Sequence, residues 1–130
     1  MVAKPKYIPA RSDIVKFDQR SEQAPSSYGG VISDFDPTLG REQAGYRPAL
    51  IVTSKKFNRA TGLALVCPIT SKVKGFNLEV ILPDGLNTTG VILAFQVKTV
   101  DWVERQVKYI ESMPLEVMDE VAAKLHALID

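Results

Sequence analysis

The chain has 130 residues, of which 45% are hydrophobic and 24% charged, and its formal net charge is +1. This is the size and composition of one globular domain with a modest core. The apolar runs are far shorter than the roughly 20 residues of a membrane-spanning helix, and Pro5 and Pro9 interrupt the stretch where a secretory signal would be apolar. A lone cysteine, Cys67, excludes an intrachain disulfide. We therefore expect a single cytoplasmic domain over residues 1–130, without a membrane segment.

Charge is distributed unevenly along the chain. Residues 41–75 contain seven basic side chains and one acidic side chain, Glu42, whereas residues 101–130 contain seven acidic and three basic ones. A basic middle segment is typical of a surface that faces phosphates, although lysines in solvated loops would give the same count. The acidic C-terminal segment is not expected to face a polyanion.

The periodicity predicts strands first and a helix last. Residues 13–17 read as a strand and precede an irregular polar segment at about 18–30. Further strands are predicted at 47–54, 63–71, 78–82, 90–100 and 107–112, with turns at 58–62, 74–75 and 83–85. From Pro114 onward the apolar residues recur at helical spacing. This order predicts a mainly β fold, a small curved barrel with one C-terminal helix packed on it.

Two segments contain side chains suited to phosphate chemistry. The polar segment 36–48 contains Glu42, a possible general base, and leads into a strand that begins near Arg47, whose guanidinium can grip a phosphate with two hydrogen bonds. An exposed arginine and glutamate can equally be a plain surface ion pair. Thr70 and Lys72 end a later strand, where a hydroxyl often only caps a turn.

If Arg47 and Thr70 lie close together, they could stabilise charge on a phosphodiester while the substrate's own 2′-OH attacks. Such a reaction requires neither a metal nor a protein nucleophile. The sequence contains no histidine or cysteine cluster and no paired carboxylates at metal-ligand spacing. We therefore expect no metal site and no cofactor.

Taken together, several segments resemble the MazF/PemK toxins of type II toxin–antitoxin systems, a group that includes ChpB and Kid. They are FDPTLGREQAGYRPAL at 35–50, Phe57-Asn58, Thr61-Gly62, CPITSK at 67–72, Lys74-Gly75, Gly90-Val91, Gln96-Val97-Lys98 and Asp101-Trp102. The resemblance extends over about residues 35–130. It implies an SH3-like small β-barrel with a C-terminal helix, which forms a homodimer. It also implies an activity, the metal-independent and sequence-selective cleavage of single-stranded RNA such as mRNA, which inhibits translation. A partly disordered antitoxin protein is expected to neutralise that activity.

The resemblance also assigns roles to individual residues. The family's essential arginine falls on Arg47, its essential threonine on Thr70 and its acidic loop residue on Glu42; the arginine has acid/base and phosphate-stabilising roles, and the threonine assists at the cleaved phosphate. The expected RNA-binding residues are Tyr46, Lys56, Lys72, Lys74, Gln96 and Lys98.

Three features depart from the family pattern. Tyr46 stands where many relatives have histidine, and a phenol, with a pKa of about 10, is a poor base at neutral pH. Phe95 stands where relatives commonly have aspartate, so an aromatic ring is available to stack on a base. Relatives run directly from an Asp-apolar-apolar strand into Asp-Phe-Asp-Pro, whereas here these two pieces are separated, so either 13–17 or 30–35 must supply the first strand.

Two alternatives of other classes are compatible with these departures. One is a catalytically impaired barrel that binds RNA or an antitoxin peptide, and the other is an inhibitor of DNA gyrase on the same fold.

Overall fold

The computed structural model describes residues 7–18 and 46–130 of the chain. Within these ranges the elements, in chain order, are β1 (Asp13–Asp18), β2 (Tyr46–Ile51), α1 (Lys55–Thr61), β3 (Leu63–Thr70), β4 (Glu79–Ile81), β5 (Val91–Leu93), β6 (Lys98–Asp101), β7 (Lys108–Ser112) and α2 (Leu115–Ala127). The strands form one antiparallel sheet in the order β4-β5-β3-β2-β1-β7, and β6 pairs with β3. The predicted mainly β architecture with a C-terminal helix is confirmed.

The first strand is supplied by the N-terminal candidate. β1 pairs with β2 from Ile14 opposite Leu50 to Asp18 opposite Tyr46, so residues 13–17 lie directly beside the strand that carries Arg47. The other candidate, 30–35, falls outside the described residues, as does the polar segment between β1 and β2.

The sheet buries apolar side chains on both of its faces. Successive residues of a strand point to opposite faces, and on β2 Leu50 joins one core cluster while Ala49 joins the other. α2 completes the first cluster with Met118 and Val121, both buried. Because strands covered on both faces are apolar without strict alternation, β2 and β3 read as continuous hydrophobic runs in the sequence.

The strand predicted at 90–100 is interrupted. It consists of β5, a 3-10 turn at Ala94–Gln96 and β6. β5 pairs with Ile69 and Thr70 at the end of β3, and β6 pairs with Leu63 to Val66 at its start. The turn therefore lies opposite Cys67 and Pro68 of β3. Pro68 has no N–H with which to form a hydrogen bond to a neighbouring strand.

The turn predicted at 58–62 is part of a helix. α1 is seven residues long, too short for a clear periodic signal. Its ends follow the usual rules for caps: the Ser54 hydroxyl accepts a hydrogen bond from the Phe57 N–H at 3.2 Å, and Gly62, at φ +75°, donates its N–H to the Asn58 carbonyl. Neither helix of the described ranges is long and apolar enough to cross a membrane.

Asn58 connects four parts of the fold. Its side chain is fully buried and donates to the carbonyls of Pro9, at 2.8 Å, and Thr53, at 3.1 Å. It accepts from the Thr53 hydroxyl, and its backbone carbonyl accepts from the Trp102 indole at 3.0 Å. Asn58 and Trp102, two residues that contribute to the family resemblance, thus have a structural explanation.

Candidate active site at the ends of β2 and β3

Arg47 and Thr70 lie at the same end of two neighbouring strands. The last paired residues of β2 and β3 are Ala49 and Pro68. Arg47 lies two residues before Ala49, and Thr70 lies two residues after Pro68, so both occupy the same end of the sheet. Because each is two residues from that pair, alternation directs their side chains to the same face. The fold thereby brings together the two residues expected to act on the phosphate.

The Thr70 hydroxyl is partly engaged by its own turn. Thr70 is half-buried, and its Oγ1 accepts a hydrogen bond from the Lys72 N–H at 3.2 Å. A hydroxyl carries one hydrogen to donate and two lone pairs to accept with. Since this bond uses a lone pair, the hydroxyl hydrogen can be donated to another acceptor, such as a phosphate oxygen.

Gly90 packs directly against the backbone of Thr70. A β-carbon at this position would lie 2.2 Å from the Thr70 carbonyl oxygen and 2.8 Å from its carbonyl carbon, and Gly90 has φ +118°. Both the close approach and the backbone conformation require glycine. Gly90 therefore determines how closely the chain entering β5 approaches the end of β3.

Arg47 borders an open groove of about 350 Å³ over β1, β2 and β7. The lining residues are Lys16, Arg47, Pro48, Asn87, Thr88, Thr89 and Ile110. Pro48 and Ile110 provide a small apolar floor beside Lys16. Strand alternation places Lys16 and Pro48 on the face of the sheet opposite that of Arg47, so the groove adjoins Arg47 from the other face.

The Glu111 carboxylate holds residues 87 and 88, which line this groove. Glu111 of β7 accepts hydrogen bonds from the Asn87 N–H at 3.0 Å, the Thr88 N–H at 2.7 Å and the Thr88 hydroxyl at 2.8 Å. Partial desolvation acts to raise the pKa of Glu111, but these hydrogen bonds outweigh it and lower the pKa from its ordinary value.

A second carboxylate organises the segment that follows Thr70. Glu79 is buried and accepts from the backbone N–H groups of Lys74, at 3.3 Å, and Gly75, at 3.0 Å. The side chains of Lys72 and Lys74 remain exposed. The fold thus holds two cations in water a few residues from Thr70.

The remaining predicted site residues are distributed differently. Gln96 lies in the 3-10 turn, and Lys98 lies opposite Val66, four residues before Thr70 on β3. Lys56 belongs to α1, which adjoins the start of β3 and so lies at the opposite end of the sheet from Thr70. The backbone of Tyr46 pairs with Asp18, but its side chain, like all of Glu42, lies outside the described residues.

The sequence interpretation missed several residues at this site. Lys16, Gly90, Asn87–Thr89 and Glu111 were not predicted. Asn87-Thr88-Thr89 reads in the sequence as a chance glycosylation sequon, and Lys16 is one polar residue in a strand. Lys16 and residues 87–89 lie near Arg47, and Gly90 lies against Thr70. Strand pairing across long sequence separations produces both placements, and no local sequence pattern indicates such pairing.

The described residues offer no strong protein nucleophile. Burial raises the pKa of Cys67 to about 12, so its thiol is protonated at neutral pH and unreactive. Among residues 7–18 and 46–130 no group of three or more histidine, cysteine, aspartate or glutamate side chains is arranged to hold a metal ion.

The family model for PemK-like, MazF-like toxins of type II toxin–antitoxin systems matches residues 31–129. The chain belongs to this family. Endoribonuclease toxin MazF of Escherichia coli strain K12 is 41% identical over 96 residues, which cover 74% of this chain and 86% of that protein. Endoribonuclease PemK of Escherichia coli is 41% identical over 99 residues, which cover 72% and 74% of the two chains.

Solved structures of MazF match the fold of this PemK/MazF-family chain. A crystal structure of MazE–MazF from Deinococcus radiodurans has a TM-score of 0.75 at 30% identity, with 95% of this chain and 97% of that chain covered. A crystal structure of MazF from the same organism has a TM-score of 0.73 at 34% identity, with 95% and 98% covered. The predicted family and its small β fold are confirmed.

Proposed function

We propose that this chain is the toxin of a type II toxin–antitoxin system and acts as an endoribonuclease that cuts single-stranded RNA, including mRNA, at selected sequences. The observation that carries the proposal is the placement of Arg47 and Thr70 at the same end, and on the same face, of the neighbouring strands β2 and β3. Its support is the activity named for the relatives, which are endoribonucleases at 41% identity.

The reaction we propose uses the nucleophile already present in RNA. The 2′-oxygen attacks the adjacent phosphorus, the bond from phosphorus to the 5′-oxygen of the next nucleotide breaks, and a 2′,3′-cyclic phosphate and a 5′-hydroxyl are formed. The Arg47 guanidinium and the Thr70 hydroxyl donate hydrogen bonds to the phosphate oxygens, where negative charge increases in the transition state. No metal takes part in this scheme.

Two proton transfers complete the reaction. We assign the proton of the attacking 2′-OH to the carboxylate of Glu42, which the resemblance makes the acidic loop residue. Arg47 supplies a proton to the departing 5′-oxygen. Tyr46 is not assigned a base role, because its phenol is almost wholly protonated at neutral pH.

The RNA path that we propose follows the exposed cations. Lys16 and Arg47 both line the groove, and Lys72 and Lys74 follow Thr70 in the chain. Lysine and arginine neutralise backbone phosphates without reading sequence, so these residues contribute affinity while other contacts select the site. Gln96 and Lys98 extend this path along β6 toward the start of β3, and Lys56 on α1 would contact RNA that continues to that end of the sheet.

The partners and the location are part of the same proposal. We propose a single domain over 1–130 that works in the cytoplasm, forms a homodimer and is held inactive by a cognate antitoxin protein. The family to which the chain belongs is defined by toxin–antitoxin systems, and a related MazF is solved together with MazE.

The decisive experiment is RNA cleavage in EDTA. Purified protein is incubated with mixed-sequence single-stranded RNA beside Arg47→Ala and Thr70→Val, with Arg47→Lys and Thr70→Ser as matched variants. Removing one donor to a developing oxyanion costs about 10²–10³-fold in rate, so we expect that loss for Arg47→Ala and Thr70→Val. Thr70→Ser keeps the hydroxyl and should retain most activity, and Arg47→Lys should not, because it lacks the planar fork.

Either of two results would reject this proposal. One is a wild-type protein that does not cut RNA, and the other is undiminished cutting by Arg47→Ala. RNA binding without cutting would instead support the non-catalytic barrel, and inhibition of supercoiling by gyrase would support the gyrase inhibitor.

A further inference from the structure

Two phenylalanine rings lie together at the surface, away from both core clusters. Phe76 is 54% exposed and Phe95 is 36% exposed. Their ring centroids are 6.0 Å apart and their planes are inclined at 66°, an edge-to-face contact. Aromatic rings are costly to leave in water, and when they cluster at a surface they commonly mark a binding site.

The pair lies at a defined distance from Thr70. β5 begins at Val91, opposite Thr70, and ends at Leu93, and the 3-10 turn that carries Phe95 follows at once. The segment 71–78 starts next to Val91, which pairs with Thr70, and it ends next to Leu93, which pairs with Glu79 at the start of β4. It therefore follows β5 from its first residue to its last. At roughly 3.3 Å per strand residue, the pair lies about 10 Å from Thr70 along β5.

Backbone hydrogen bonds hold the two rings in place. The Phe76 carbonyl accepts from the Glu79 N–H at 3.1 Å, and the Leu78 carbonyl accepts from the Ala94 N–H at 3.3 Å. The buried Glu79 carboxylate binds the Gly75 N–H immediately before Phe76. The two rings are therefore carried by backbone that is held in place by hydrogen bonds.

The charges around the pair identify the class of ligand. Lys72 and Lys74 lie on the same segment as Phe76, and both are exposed. Proteins that bind single-stranded nucleic acid combine cations that follow the backbone with aromatic rings on which bases stack. In an edge-to-face pair, one ring turns its edge to its neighbour, so the neighbour covers neither face of that ring and a base can stack on it.

We propose that Phe76 and Phe95 form a stacking site for one unpaired base of the RNA, close to the phosphate that is cut at Thr70. This proposal rests on the proposed ribonuclease function and adds a contact to it. Because every base has a π-face, the site contributes affinity and position rather than base identity. Lys72 and Lys74 bind the phosphates next to the stacked base.

The test is binding of an RNA analogue that cannot be cut. A randomised 2′-O-methyl RNA dodecamer with one central 2-aminopurine lacks the attacking hydroxyl, and 2-aminopurine loses fluorescence when it stacks on a ring. We expect wild-type protein to quench the probe, and Phe95→Leu and Phe76→Leu each to bind it about tenfold more weakly with loss of quenching. Phe95→Tyr keeps a stacking ring and should restore both properties.

Phe57→Leu is the matched control. Phe57 is 43% exposed on α1, at the other end of β3, and its replacement should leave binding unchanged. The proposal is overturned if wild-type protein fails to bind or to quench the probe, or if the Phe95 and Phe76 variants behave like Phe57→Leu. It is also overturned if those variants bind the probe normally and lose only their inhibition by an antitoxin, since the pair would then be a protein-binding site.

The failure of stacking and the failure of the proposed function can be told apart. Protein that cuts natural RNA while Phe95→Leu binds the probe normally refutes the stacking site alone. Protein that binds and quenches the probe but cuts no RNA refutes the ribonuclease and leaves the stacking site intact.

Discussion

The two ends of β3 are built for different purposes. At the Leu63 end, the buried Asn58 side chain and the Trp102 indole close a set of hydrogen bonds away from water. At the Thr70 end, a half-buried hydroxyl is followed in the chain by the exposed Lys72 and Lys74, and Arg47 on the neighbouring strand borders an open groove. Residues that carry the family resemblance occur at both ends. Resemblance alone therefore does not separate residues that stabilise the fold from those that we propose bind the substrate.

The largest effect on stability is expected at the Leu63 end. Asn58→Ala removes hydrogen bonds to the Pro9 and Thr53 carbonyls and leaves these acceptors buried. At 1–3 kcal/mol for each unsatisfied group, we expect a loss of about 3 kcal/mol and a decrease in Tm of about 10 °C. Thermal unfolding checks the stability, and RNA cleavage measured well below the new Tm should be nearly normal.

Asn77→Ala is the control for this variant, because Asn77 is exposed and its side chain makes none of these bonds. Its Tm should match the wild type. A large loss of kcat in folded Asn58→Ala would contradict the division between the two ends.

A smaller effect is expected from the glycine that touches Thr70. In Gly90→Ala the new methyl group collides with the Thr70 carbonyl, and we expect the shift of Thr70 to lower kcat by about 10–100-fold. Positive φ costs alanine about 1–2 kcal/mol, so stability should also fall. Steady-state cleavage kinetics and denaturant unfolding measure the two effects separately.

Gly85→Ala separates backbone strain from displacement of Thr70. Gly85 has φ +98°, but nothing lies within 4 Å of a β-carbon there. Gly85→Ala should lose only the stability that the positive φ costs, which is less than Gly90→Ala loses, and it should keep its kcat. If both variants lose kcat equally, Gly90 does not position Thr70.

The smallest effect is a local pH dependence of the groove wall. Because hydrogen bonds lower the pKa of Glu111 in the folded chain from the ordinary 4.5, its stabilisation is fully present above that value and is lost as the pH falls through the lowered pKa. The protection factors of the Asn87 and Thr88 amides, which are exchange rates corrected for the intrinsic pH dependence, should therefore fall on acidification below about pH 4.5. In Glu111→Gln this fall should be absent, and its persistence would show that another group holds the segment.

Local patterns predicted the type of most elements but not their meeting points. The sequence predicted β2, β3 and α2, because burial of one or two faces of an element determines where its apolar residues fall. α1 was missed because a seven-residue helix has too few turns to show a period. The break at Ala94–Gln96 was missed because it depends on which half of β3 each neighbouring strand pairs with.

The candidate site was predictable only in part for the same reason. Arg47 and Thr70 could be named from their chemistry and from the resemblance, but their proximity depends on the antiparallel register of β2 and β3. Lys16 and Thr88 were not predicted, since β1 and β7 bring them to Arg47 from opposite parts of the chain.

The 3-10 turn between β5 and β6 keeps the proposed stacking residue Phe95 out of the strand pairing. Phe95 and Gln96 belong to neither ladder of β3, so a side chain exchanged there leaves the pairing of both flanking strands unchanged. A substitution at position 95 can therefore change the proposed stacking contact while Thr70 stays paired with Val91. The interruption that obscured the strand in the sequence is thus where the protein can diversify at little structural cost.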